Sequence, residues 1–167
     1  MQYFVALLSP VLLTACLNTH SQIMNDSSIS VIVQCTANPD CLFTGDDMPV
    51  VVSIKNNQPI SIELPLAYLQ KTGPIVKLID NTSRQEVFLK KNLASHDLRK
   101  TLIKIQPGKS ASIDWILTSS ELLQFNSEAV DITAEITVST NIKTTAKDFP
   151  SEVTASGSVK INGKTKK

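Results

Sequence analysis

Residues 130–138, Val-Asp-Ile-Thr-Ala-Glu-Ile-Thr-Val, set the strongest constraint on the fold. Val130, Ile132, Ala134, Ile136 and Val138 take every second position, and Asp131, Thr133, Glu135 and Thr137 fill the gaps. Successive side chains of an extended chain point to opposite faces, so this stretch has one apolar face and one wet face. A helix would scatter the same residues around its whole circumference. Such a segment belongs in an antiparallel sheet covered on one side.

The same period of two recurs from Ser28 onward, rich in Val, Ile and Thr and broken by Asn, Asp, Pro and Gly turns. Val50, Val52 and Ile54 share one face of a strand, and Ile60, Ile62 and Leu64 share a face of the next. Asn56-Asn57 lies between them and predicts a hairpin, with Pro59 tolerated where the second strand begins. Ile75–Asp80 and Gln85–Lys90 flank a second turn at Asn81-Thr82-Ser83-Arg84. Around Pro107-Gly108, a type II turn by composition, stand two further strands. In the second of these Ala111, Ile113, Trp115 and Leu117 share a face, which reads Trp115 as a core residue. A last strand runs from Val153 to Ile161 with Gly157 near its middle. Helical character is legible only in Thr118 to Phe125, where Thr118 and Glu121 have capping-box spacing.

Eight or nine such strands without a long helix predict an all-β fold, an antiparallel β-sandwich of immunoglobulin-like topology, with a barrel as the alternative. The 167 residues suit one domain, and 42% of them are apolar, enough for a core. Lys and Arg number 16 against 15 Asp and Glu, a balance that offers no field to draw in nucleic acid. The segment Ile105 to Trp115, with the strand pair before it, resembles small bacterial immunoglobulin-like domains of the proteinase-inhibitor type, a likeness too generic to carry a function.

Residues 1–15 contain no charged side chain, and their apolar run is shorter than the roughly 20 residues that span a bilayer. They end in Leu13-Thr14-Ala15-Cys16, which is similar to the lipobox of bacterial lipoproteins. The resemblance implies a signal peptide over 1–15, cleavage before Cys16 and a diacylglycerol on its sulfur. Each buried methylene of such chains contributes about 0.8 kcal/mol to anchoring. Leu17 stands where an aspartate would resemble an inner-membrane retention signal, so the periplasmic face of the outer membrane is the expected address. The alternative is a buried N-terminal element with a core cysteine. Residues 16–27 then form a lipidated tether with a reach of about 18 Å, 28–162 the single sandwich domain, and 163–167 a basic tail.

With Cys16 lipidated, Cys35 and Cys41 remain as an even pair in a compartment where disulfides persist. They are expected to bond to each other across the Asn38-Pro39-Asp40 turn, with a metal site as the rival.

No catalytic constellation is legible. Ser95-His96-Asp97 holds the residue types of a hydrolase triad, but known triads draw on separated positions. Asp40, Asp46 and Asp47 cluster near a Gly turn and could ligate Ca²⁺, although their spacing is not that of an EF-hand; local turn hydrogen bonding is the plainer reading. No cofactor motif is present. Residues 90–100 interrupt the strand pattern, and Lys90, Lys91, Leu93, His96, Leu98, Arg99 and Lys100 form the candidate binding loop for an acidic partner or membrane headgroups. The alternative is a solvated loop with a short helix whose leucines cap the core. The expected function is a membrane-anchored envelope lipoprotein, not an enzyme, acting as a binding or assembly module for another envelope protein. A periplasmic inhibitor or immunity protein against a protease or toxin is the alternative.

Overall fold

A computed structural model describes residues 28–125, 129–145 and 147–164. Cys16, the expected signal peptide and tether, and residues 165–167 lie outside the described residues. Among the described residues the fold is mostly β, a sandwich-like pair of sheets with no barrel. The smaller sheet has three strands in the order β1-β3-β8, formed by Ile29–Cys35, Met48–Asn56 and Ser110–Leu117. The larger sheet has seven strands. Its path runs β2 (Leu42–Phe43), β10 (Lys147–Lys164), β9 (Ala129–Thr144), β4 (Ile62–Leu64), β7 (Ile103–Ile105), while β5 (Ile75–Asp80) pairs with β9 and with β6 (Glu86–Phe88). All pairings are antiparallel except that of β2 with β10.

The alternation seen in the sequence becomes the core directly. Ile132, Ala134, Ile136 and Val138 of β9 are buried and meet Val50, Val52, Ile54, Ile113 and Leu117 of the smaller sheet in one apolar cluster. Full burial of each large aliphatic side chain contributes about 1.5 to 3 kcal/mol before entropy is counted. β9 and β10 form a hairpin far longer than its sequence pattern suggests, with Ile161 opposite Ile132 and Ser151 opposite Ile142. β10 continues through Lys164, so the strand takes in the start of the expected basic tail. Gly157 has its own physical reason. The carbonyl of Val31 in β1 comes so close that a Cβ there would collide with it, and the absent side chain lets β1 lie against β10.

Three local expectations are met. The turn after Asp80 joins β5 to β6, with Leu78 opposite Val87. The capping box of α2 (Ser119–Leu122) forms, Thr118 accepting from the Glu121 amide while Glu121 accepts from the Thr118 amide. At Pro107-Gly108 the Lys109 amide donates to the Gln106 carbonyl at 3.0 Å with Gly108 at φ 71°, as a type II turn requires.

The expected hairpin of β3 with β4 does not form. β3 pairs with β1 and β8, and β4 crosses to the larger sheet to pair with β7 and β9. Asn56 lies fully buried at the corner. Its Nδ2 donates to the carbonyls of Ile60 at 2.8 Å and Ile105 at 3.1 Å, and its Oδ1 accepts from the Gln58 amide at 2.9 Å. These bonds satisfy the backbone of a crossing that a two-residue turn would not make.

A helix stands where none was legible, α1 at Leu66–Thr72. It is bracketed by Pro65 and Gly73-Pro74 and buries Leu69 and Thr72, so its short apolar stripe packs inward. Trp115, half-buried, packs against the core from β8 and meets Gly73 at the end of α1.

The disulfide expected between Cys35 and Cys41 is present, with a Cα–Cα distance of 5.5 Å across the Asn38-Pro39-Asp40 turn. Asn38 shapes this turn, its Oδ1 accepting from the Asp40 amide at 2.9 Å while its carbonyl accepts from the Cys41 amide.

Candidate functional site

The segment after β6 is tied back onto α1 and β5 by two backbone bonds, Leu89 amide to Val76 carbonyl at 2.9 Å and Asn92 amide to Thr72 carbonyl at 3.1 Å. It then forms a 3-10 helix at His96–Lys100. Ser95 caps this helix by accepting from the Asp97 amide, and Asp97 pairs with Lys100 at 2.7 Å. Two members of the Ser95-His96-Asp97 trio are thus engaged in local helix contacts, and His96 lies exposed at the helix start.

Between this segment, α1 and the outer end of β9 lies a groove of about 520 Å³. That volume is within the ordinary range of ligand pockets. Pro65, Tyr68, Ile75, Leu102 and Pro150 give it apolar surface. Lys91, Arg99 and Lys143 supply three cationic groups, and Glu152 one carboxylate. Ser139, Thr140 and Asn141 of β9 form its polar wall.

Arg99 is held in place. Its guanidinium carbon sits 4.3 Å from the centre of the Tyr68 ring, and Nη2 donates to the Tyr68 hydroxyl at 2.5 Å. The stacking joins α1 to the 3-10 helix and leaves the planar fork beside the groove. Glu152 stands opposite Asn141 in the β9–β10 ladder and accepts from the Ser139 hydroxyl at 3.2 Å.

Of the candidate loop residues, Lys91 and Arg99 line the groove, whereas Lys90, Leu93, His96, Leu98 and Lys100 are not part of its wall. Leu93 is 94% exposed and caps no core. Tyr68, Lys143 and Glu152 went unread because they lie far away in sequence. The only local sign was the Pro65 and Gly73-Pro74 bracket, which marks a detour of the chain.

The Asp residues near Gly45 make turn and cap contacts. Asp47 accepts from the Ser119 amide at 2.8 Å, so it anchors the start of α2, and Asp46 accepts from the Thr44 hydroxyl at 3.4 Å.

No protein-family model matches the chain, and no curated protein matches it. Among solved structures it is similar to Northeast Structural Genomics Consortium target SoR45, at 8% identity and TM-score 0.39 over 81% of this chain and 87% of that one. It is likewise similar to the putative ApaA protein from Bordetella pertussis, at 10% identity and TM-score 0.39 over 80% of this chain and 91% of that one. A protein from Archaeoglobus fulgidus is similar at 11% identity and TM-score 0.32, over 78% of this chain and 94% of that one.

Proposed function

We propose that this chain is a lipid-anchored protein of the bacterial envelope, on the periplasmic face of the outer membrane, that acts as a non-enzymatic binding or assembly module. Its groove beneath α1 seats a segment of another envelope protein. The observation that carries this reading is the groove itself, whose wall combines apolar surface with three cationic residues, Lys91, Arg99 and Lys143, and one carboxylate, Glu152. Apolar surface supplies affinity, and the excess of positive charge selects an acidic occupant. The lipobox-like Leu13-Thr14-Ala15-Cys16 supports the anchor, and the Cys35–Cys41 disulfide is in keeping with an oxidising compartment.

The test is crosslinking and affinity capture from intact envelopes, comparing the full lipidated chain with Arg99→Glu and Lys143→Glu variants. A partner recovered with the unaltered chain and lost with both variants supports the reading. A partner recovered equally well with either variant overturns it. If the captured protein is a hydrolase or toxin whose activity falls in the complex, the inhibitor alternative replaces the assembly one.

A further inference from the structure

β4 and β5 run in the same direction along the same edge of β9, as the two halves of one interrupted strand. Ile62 and Glu63 face Thr144 and Lys143, and the ladder resumes with Ile75 opposite Thr137 and continues to Asp80 opposite Ile132. Between the two, the chain leaves the sheet to form α1, with Pro65 at its departure and Pro74 at its return. Along 138–142, no strand among the described residues is paired with this edge of β9. On the other edge the same stretch is paired with β10, Val138 with Ala155 through Ile142 with Ser151. The sheet therefore has a gap, and the groove lies at it, since Ser139, Thr140 and Asn141 form its wall.

In an antiparallel strand, alternate residues turn both amide and carbonyl toward one edge. The gap thus offers a short ladder to an incoming backbone, about 13 Å long for a segment of four residues. Peptides add to exposed sheet edges in this way, with main-chain bonds supplying affinity. Both ends of the gap are closed, by the end of β4 on one side and the beginning of β5 on the other. A strand running straight through would collide with both, whereas a chain end meets one of them only with its terminus and has to bend out of the gap, over the groove, at the other. Of the two chain ends, a carboxylate suits Lys91, Arg99 and Lys143, and an ammonium is repelled by them.

We infer that the gap between β4 and β5 binds the C-terminal tail of a partner protein as an added strand, its terminal carboxylate held by Lys91, Arg99 and Lys143. This deepens the reading above and rests on it.

The full lipidated chain in detergent is used to select from a randomised pentapeptide pool with free C-termini. Enriched peptides are then remade as the free acid, as the C-terminal amide, and with the penultimate backbone nitrogen methylated. The free acid is expected to bind, and the amide and the methylated form at least tenfold more weakly. Arg99→Glu and Lys143→Glu should each weaken the free acid at least tenfold, with far-ultraviolet circular dichroism and the unfolding midpoint showing each variant folded; if one fails to fold, the other decides. Equal binding of the amide or of the methylated peptide overturns the inference, as does a pool from which nothing is enriched. If a partner is nevertheless captured through the groove from envelopes, the binding-module reading stands and this inference alone fails.

Discussion

Gly73 lies against Trp115 so closely that a Cβ added to it would overlap Cη2 and Cζ3 of the indole, and it adopts φ +74°. Only a residue without a side chain meets both conditions. The pair fixes where the chain returns from α1, and hence the roof of the groove. Gly73→Ala is expected to cost about 2 to 6 kcal/mol, from about 1 to 3 for a backbone conformation, φ 74° with ψ 168°, open essentially to glycine alone and about 1 to 3 for overpacking. Urea unfolding measures it, and adding Trp115→Leu to that variant should recover the overpacking part in a double-mutant cycle.

Asn56 makes a second prediction. With its side chain fully buried, Asn56→Ala strands the carbonyls of Ile60 and Ile105 and the amide of Gln58. The loss should be about 2 to 4 kcal/mol in equilibrium unfolding, since each buried group left without its partner costs about 1 to 3 kcal/mol and water relieves part of it. A loss below about 0.5 kcal/mol would mean that the crossing from β3 to β4 is held by something else.

The disulfide closes a loop with a sequence separation of 6. On the chain-entropy model, replacing both Cys35 and Cys41 by Ser should cost about 2 kcal/mol. Unfolding midpoints with and without reductant check this on the unaltered chain.

Asp131 accepts from Asn81 Nδ2 at 2.8 Å and pairs with Lys160 at 3.3 Å. The Asn81 hydrogen bond first, then Lys160, favours the carboxylate and holds its pKa below the ordinary 3.8, against desolvation and the nearby Asp80. A folded value below the unfolded one stabilises fully above the unfolded value, and the contribution is lost as pH falls through the folded one. Asn81→Ala should move the Asp131 titration up toward the ordinary range, as read by NMR of the side-chain carboxyl. Lys77 behaves in the opposite sense. Its bond to Glu135 at 2.7 Å, opposed by desolvation and aided by Glu86, raises its pKa above 10.5. Its contribution is therefore full below the ordinary value and lost as pH rises through the folded one.

The anchor has its own check. Intact mass of the membrane fraction should show acyl chains on Cys16, and Cys16→Ser should release the protein from the membrane. A Cys16→Ser chain that stays membrane-bound, with no acyl mass on the unaltered chain, would remove the anchor from the proposed function.

The amino-acid pattern by itself determined the class of fold, because a period of two over Val130 to Val138 admits only a strand with one buried face, and that face is the core. Turn chemistry and spacing were equally local, so the Thr118 capping box, the Pro107-Gly108 turn and the short disulfide loop were legible. The partner of each strand was not. Alternation states which face a strand buries but not which sheet it joins, and β4 joins the opposite sheet from β3, with the buried Asn56 bonded to the backbone on both sides of the crossing. The helix α1 also escaped, since a seven-residue helix is stable only once Leu69 and Thr72 have a core to enter. The groove is wholly a product of tertiary structure. Tyr68, Arg99, Lys143 and Glu152 converge there only because β4 and β5 lie end to end along β9 and leave its edge open between them.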